Sequence, residues 1–266
     1  MYPNQLHAQS EIGTGLIDTH CHLDLAPLIT HLPQVLARAH KAGVQRFVVP
    51  GVHPDGWSRI MTLAAVHHEI VPAVGVHPMY AALADDGVLT TLAGAATGSA
   101  AIGEIGLDPA YPVPLEIQEM AFRQQLRLAV SQSLPVLVHC RRAFQRTLQI
   151  LREEKADNVG GIMHAFSGSP EMAREFIRLG FAIALSGTLT WRGAVRPPRL
   201  AREIPLEHLV LETDAPDMPP QGHRGEANQP AWLVETLSAL AAAKNITPDT
   251  VATATHENSV RVLGLV

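Results

Sequence analysis

The sequence predicts an α/β protein of the (β/α)8 class, a TIM barrel of eight parallel strands with helices outside. Three observations predict it. Short apolar runs rich in β-branched residues recur eight times along the 266 residues. Each ends in a Gly, Pro, His or Asp cluster, and stretches of helical periodicity lie between them. Eight such alternations in about 250 residues is the size of one barrel. An open doubly wound sheet is the competing architecture for the same alternation.

The expected strands are 15–20, 45–50, 70–76, 100–105, 134–139, 159–164, 181–186 and 208–213. The spacing predicts a helix over 31–42, opened by Thr30 and Pro33, and others over 115–132 and 142–155. A helix over 170–179 is closed by Gly180. Over 230–244, Leu233, Leu237, Leu240 and Ala241 form one stripe for a core. Residues 1–14 read as a tail and 15–266 as a single domain, with no low-complexity block or linker. A chain of this size buries enough surface to hold a core without a disulfide or metal, so a metal here would serve chemistry.

With 20 Lys plus Arg against 25 Asp plus Glu, the net charge is −5, which excludes a protein that coats nucleic acid. Only Lys41, Lys155 and Lys244 are lysines, so phosphate recognition would fall to arginine, a metal or backbone amides. Cys21 and Cys140 are two separated thiols, which suit a reducing cytoplasm and read as buried apolar filler. No leader-like segment or long uncharged apolar run is present, so a cytoplasmic protein with no membrane contact is expected. No obligate protein partner is evident.

The unusual count is 14 histidines. His20 and His22 end the first strand on one face, a natural pair of nitrogen ligands. Glu104, His139, His164 and Asp214 end four other expected strands, and in a barrel all such ends converge on one face. Parity places Ile102, Leu137 and Ile162 in the barrel interior. The same parity turns Asp18 and Glu212 inward, where they would orient ligands. Four imidazoles and two carboxylates exceed one tetrahedral site and suit two divalent ions bridged by a carboxylate, about 3.5–4 Å apart, activating a water for hydrolysis. Zinc suits imidazole-rich ligation, and magnesium, manganese, nickel or iron are alternatives.

His20-Cys21-His22, Gly75-Val76-His77-Pro78, Gly103-Glu104-Ile105-Gly106-Leu107-Asp108, His139 with Arg141, His164-Ala165-Phe166-Ser167-Gly168 and Glu212-Thr213-Asp214-Ala215-Pro216 occur in this order. From residue 16 to 263 the chain resembles the TatD family of metal-dependent hydrolases, in particular its YjjV-like branch. The resemblance implies that His20 and His22 bind a first metal, His139 and His164 a second, and that Glu104 bridges. Asp214 would complete the first site and accept the proton of the attacking water. It also implies a nuclease, a DNase acting on ester bonds of DNA or short nucleic acid ends. The chain departs from the family at Pro109, where an aromatic often stands, and at Arg224-Gly225-Glu226-Ala227-Asn228-Gln229-Pro230, where an Arg-Asn-Glu-Pro-like run is usual.

Beyond the ligands, His77 and Arg141 are candidate substrate contacts. Arg142, Arg192, Arg196 and Arg199 either hold phosphate or form a solvated helix face, and Trp191 could stack on a base. All three lysines fall in expected helices, so Glu104 is the bridging candidate rather than a modified lysine. Ester or amide hydrolysis, such as deacylation of an aminoacyl-tRNA, is the second expectation. A barrel that binds metal without turnover is the third.

Overall fold

The structure of the protein is a computed structural model, and it describes residues 15–265. The expected tail over 1–14 lies outside the described residues. All eight expected strands are present: β1 (Leu16–Asp18), β2 (Val44–Val49), β3 (Ile70–Val74), β4 (Ala101–Leu107), β5 (Val136–Cys140), β6 (Gly161–Met163), β7 (Phe181–Leu185) and β8 (Leu209–Leu211). They form one parallel sheet in the order of the chain. The seam between β8 and β1 is closed by Thr19 N–H on Leu211 O (3.0 Å), Asp214 N–H on His20 O (2.9 Å) and His22 N–H on Ala215 O (2.7 Å). A nearly closed TIM barrel results, and an open sheet is excluded.

The helices are α1 (Leu32–Lys41), α2 (Trp57–Val66), α3 (Asp86–Ala96), α4 (Leu115–Gln132), α5 (Phe144–Glu153), α6 (Pro170–Ile177), α7 (Arg196–Glu203), α8 (Leu233–Lys244) and α9 (Pro248–Leu263). The 115–132 expectation matches α4 at both ends. Thr30 does not open α1, because it lies inside a short 3-10 turn, Ile29–His31, that precedes the helix. Pro230–Trp232 forms a similar turn before α8. Lys155 lies beyond α5 with φ 55°, so it is not helical as expected.

Two apolar layers hold the barrel. Ile17, Val48, Leu137, Ile162, Ala184 and Val210 belong to an inner cluster joined by Leu263 of α9. Val260, Val262 and Leu265 also pack against it, so the end of α9 plugs the mouth opposite the C-terminal strand ends. Leu137 and Ile162 therefore face inward as parity demands. Ile102 does not: it packs with the outer, helix-facing cluster, while Ala101 takes the inner place. The β4–β5 register shifts between Ile102 and Ile105, which resets the alternation just before Glu104.

Candidate active site

Glu104 is set beside β5 by a close backbone approach. Gly106 pairs with His139, and at its φ of 147° a Cβ would stand 1.9 Å from the His139 carbonyl oxygen. Only glycine permits that spacing. The Glu104 carboxylate is 3% exposed and its two oxygens face different imidazoles. Oε2 lies 3.2 Å from His20 Nε2 and 4.0 Å from His22 Nε2. Oε1 lies 2.8 Å from His139 Nδ1, 3.6 Å from His77 Nε2 and 3.8 Å from His164 Nε2.

Asp214 approaches from β8. Its Oδ1 is 3.4 Å from His164 Nε2, 3.6 Å from His22 Nε2 and 3.8 Å from His20 Nε2. It holds a left-handed φ of 58°, uncommon for a residue with a side chain. Asn228, fully buried, braces this turn by donating to the carbonyls of Thr213 (2.8 Å) and Asp217 (2.7 Å).

The two expected orienting carboxylates behave differently. Glu212 accepts from or shares a proton with His164 Nδ1 at 2.9 Å and accepts the Ala165 N–H at 2.7 Å, so it orients a ring. Asp18 touches no imidazole. It accepts the backbone N–H of His20 (3.3 Å) and Thr213 (2.9 Å) and the Thr213 hydroxyl (2.6 Å), so it ties the end of β1 to that of β8. Burial raises its carboxyl pKa to about 7 against those hydrogen bonds.

The electrostatics follow from burial and crowding. Burial, reinforced by His164, lowers the pKa of His20 and keeps it neutral. Neither ring nitrogen of this buried imidazole has a hydrogen-bond partner. Burial also opposes charge on His164 and His139, but the surrounding carboxylates prevail and hold them at about 10 and about 9. For Glu104, burial is overcome by the nearby His20, His77 and His164, which hold it well below the usual range. Asp214 is lowered too, burial being outweighed by His164 and His22.

This donor set fits divalent cations. Unpartnered neutral imidazole nitrogens stand beside carboxylates that favour positive charge, and such buried groups are otherwise costly. Three groups could hold an ion: His20, His22 and Asp214; His20, His164 and Glu212, which shares His20 with the first; and His77, Glu104 and His139. All six expected ligands are thus brought together. His164 stacks on His20 at 3.5 Å between ring centroids, while His77 stands closer to His139, at 4.6 Å.

His77 caps a short 3-10 turn, its Nδ1 accepting the Met79 N–H at 3.2 Å. Burial pushes its pKa down to about 4. A neutral ring with Nδ1 accepting carries its proton on Nε2, so it presents a donor to the site.

Three contributors were not singled out from the sequence. Asp108 Oδ2 lies 3.0 Å from His139 Nε2, so that ring is held between two carboxylates. Asp108 ends the Gly-Glu-Ile-Gly-Leu-Asp run, which was the available signal. Tyr111 lines the cleft and meets His77 edge-on at 5.4 Å, supplying two residues later the aromatic that Pro109 lacks. Asn228 lay in the departing 224–230 run, where nothing in the pattern marked it as buried.

The cleft above the cage measures about 790 Å³. Arg141, Trp191 and Arg196 line it, whereas Arg142, Arg192 and Arg199 do not. Arg199 is held by Glu171 (2.8 Å) and Glu203 (2.6 Å), a solvated helix face. Cys21 is fully buried, with Sγ 3.8 Å from Val48 O. Cys140 turns its sulfur to Thr147 (3.2 Å) but still borders the cleft, which filler alone would not do. His223 stacks on Trp232 at 3.7 Å and pairs with Glu235, away from the cage.

The family profile described as TatD related DNase matches residues 17–264. The chain is 36% identical over 250 residues to the Bacillus subtilis protein YabD, an uncharacterized metal-dependent hydrolase, covering 93% of this chain and 98% of that one. It is 34% identical to Escherichia coli YjjV, similarly described, covering 91% and 95%. The crystal structure of YjjV, a TatD homologue, superposes with a TM-score of 0.89 over 93% of this chain and 97% of that one, at 33% identity. A TatD family hydrolase from Entamoeba histolytica shares the fold at 20% identity and a TM-score of 0.85. No described helix is long and apolar enough to cross a membrane. A carboxylate–imidazole cage at the strand ends of a (β/α)8 barrel and a match over nearly its whole length agree: the chain belongs to the TatD family of metal-dependent hydrolases.

Proposed function

We propose that this hydrolase cleaves phosphodiester bonds of DNA or short nucleic acids, in one domain over residues 15–266 that carries two divalent ions. His20, His22 and Asp214 would hold one ion, His139 and His164 the other, and Glu104 would bridge them through its two oxygens. Bound there, such ions supply local positive charge that acidifies a water and neutralises a phosphate oxygen. Zinc is the first candidate for the imidazole-rich side. The observation that carries the phosphodiester reading is Arg141. Its exposed side chain lines the cleft beside the cage, and no hydrogen-bonding partner claims the guanidinium among the described residues.

Each residue then has a task. Arg141 grips a non-bridging phosphate oxygen with its planar fork. The Nε2–H of His77 donates to a second substrate oxygen. Asp214, held in its turn by Asn228, takes the proton of the attacking water. Glu212 keeps the His164 ring aimed inward, and Asp108 does the same for His139.

An acyl-ester or amide substrate, including an aminoacyl-tRNA, is the second reading. Leu25, Met79, Phe166 and Val195 in the cleft wall favour it. The test pits bis(p-nitrophenyl) phosphate and single-stranded DNA against p-nitrophenyl acetate and an aminoacyl-tRNA, using metal-loaded protein. Turnover of both phosphodiesters is expected. Cleavage of the acyl substrates alone would replace the first reading with the second.

A further inference from the structure

Arginines on the outer helices of this barrel are commonly satisfied by glutamates: Arg127 by Glu154, Arg146 by Glu119, Arg199 by Glu171 and Glu203. Arg196, three residues before Arg199 and at the start of α7, has no carboxylate partner among the described residues. Its one hydrogen bond there runs from Nη1 to the Ser167 carbonyl at 3.0 Å. That bond anchors the guanidinium at the cleft wall and leaves Nη2 and Nε without a partner.

The rim between Arg141 and Arg196 is apolar. The loops after β5, β6 and β7 follow one another around the barrel, so Arg141, Phe166 and Arg196 come in that order. Phe166 is buried and fixed edge-on against Phe144 (5.2 Å) and Phe176 (5.9 Å). Val195 is 75% exposed on the same wall. Trp191 has spent its indole N–H on Pro219 O (2.8 Å) and has Arg224 over its ring at 4.3 Å, so it offers surface rather than hydrogen bonds. Two inter-strand spacings separate β5 from β7, about 10 Å at the strand ends. Arg141 and Arg196 line one cleft, with Phe166, Val195 and Trp191 in the same wall.

We propose that Arg196 is a second anion subsite, which takes the phosphate neighbouring the scissile one while the intervening nucleoside lies along Phe166, Val195 and Trp191. This rests on the phosphodiester reading and specifies its substrate as one carrying two phosphates about one nucleoside. Stacking of a base on such a surface tolerates any base, so selectivity is for the phosphate and not for sequence.

Calorimetric binding to zinc-loaded protein tests it, with thymidine 3′,5′-bisphosphate compared against thymidine 5′-monophosphate and thymidine 3′-monophosphate. The bisphosphate is expected to bind about tenfold more tightly than either monophosphate, the worth of one charge-assisted hydrogen bond. Arg196→Gln erases that advantage, Arg196→Lys retains part of it, and Arg199→Gln keeps it whole. A bisphosphate that binds no better than the monophosphates, or an advantage that survives Arg196→Gln, overturns the subsite. An Arg196-dependent advantage in a protein that cleaves neither phosphodiester would sink the phosphodiester reading and leave the subsite standing. Cleavage without the advantage would do the reverse.

Discussion

Carboxylates meet cationic groups in two regions of this molecule, and burial separates them. In the cage, His20, Glu104, His164 and Asp214 are between 1% and 7% exposed. On the outer helices, Arg123 meets Glu153 and Glu154, Arg127 meets Glu154, and Arg178 meets Glu175, with many of these side chains open to water. Solvent screens the outer pairs, so each adds little to stability. The cage has no such screening and leaves imidazole nitrogens without partners, a cost to folding. Buried polar groups left without partners are groups kept for binding and chemistry.

The sharpest way to break this contrast is at Asp214. Asp214→Asn should cut turnover by about 10²- to 10⁴-fold, the worth of a positioned proton acceptor. Melting temperature should also fall at pH 7, because His164 and His22 hold Asp214 below its ordinary pKa and the ionised carboxylate therefore contributes stability. A variant with near-normal turnover would mean that the water's proton goes elsewhere.

Glu212→Gln comes next. Losing the carboxylate that orients His164 should weaken metal binding by about 10- to 100-fold. Titration calorimetry against zinc measures it directly. Unchanged affinity would assign Glu212 to the backbone of Ala165 alone.

Packing supplies a control that touches no charge. Leu137 is fully buried in the inner cluster. Leu137→Ala should destabilise the fold by about 2–5 kcal/mol in a denaturant titration, far more than any single outer pair. A smaller loss would show that the barrel interior collapses around the gap.

The smallest effect belongs to the outer shell and carries a pH signature. Hydrogen bonds from Arg127 and Arg123 outweigh a partial burial and hold Glu154 below the ordinary glutamate value of 4.5. A lowered folded-state pKa contributes stability above the unfolded value, and that contribution disappears as pH falls through the folded one. The melting-temperature gap between wild type and Glu154→Gln should thus be small at pH 7 and close as pH drops below about 4.5. A gap that persists at pH 3 would point to packing instead of charge.

Periodicity located all eight strands, because alternating burial and chain punctuation are local properties. The six ligand-type residues were legible for a related reason, since a barrel gathers its C-terminal strand ends on one face, although Glu104, expected at the end of its strand, lies within β4. Residues whose roles depend on neighbours distant in the chain were not legible. Asp18 was expected to face inward and orient a ligand, yet Ile17 takes the inner place in β1 and Asp18 accepts one amide of its own segment, His20, and one across the β8–β1 seam, Thr213. Ile102 would share the inward parity of Glu104 in a regular strand, but the β4–β5 register shift falls between them, so Ile102 faces outward. His77 read as a possible contact, but the tautomer that makes it a donor is set by Met79 N–H.

The arginines show where local information ends. Their number and the scarcity of lysine are fixed by composition, and the barrel class and the histidine and carboxylate residues near its strand ends follow from local pattern. Which arginines are neutralised depends on glutamates that other helices bring alongside, so only the tertiary structure separates Arg199 from Arg196. The division of the Glu104 oxygens between two sets of imidazoles was settled the same way, by strands β1, β3, β4, β5 and β6 meeting at one end of a nearly closed barrel.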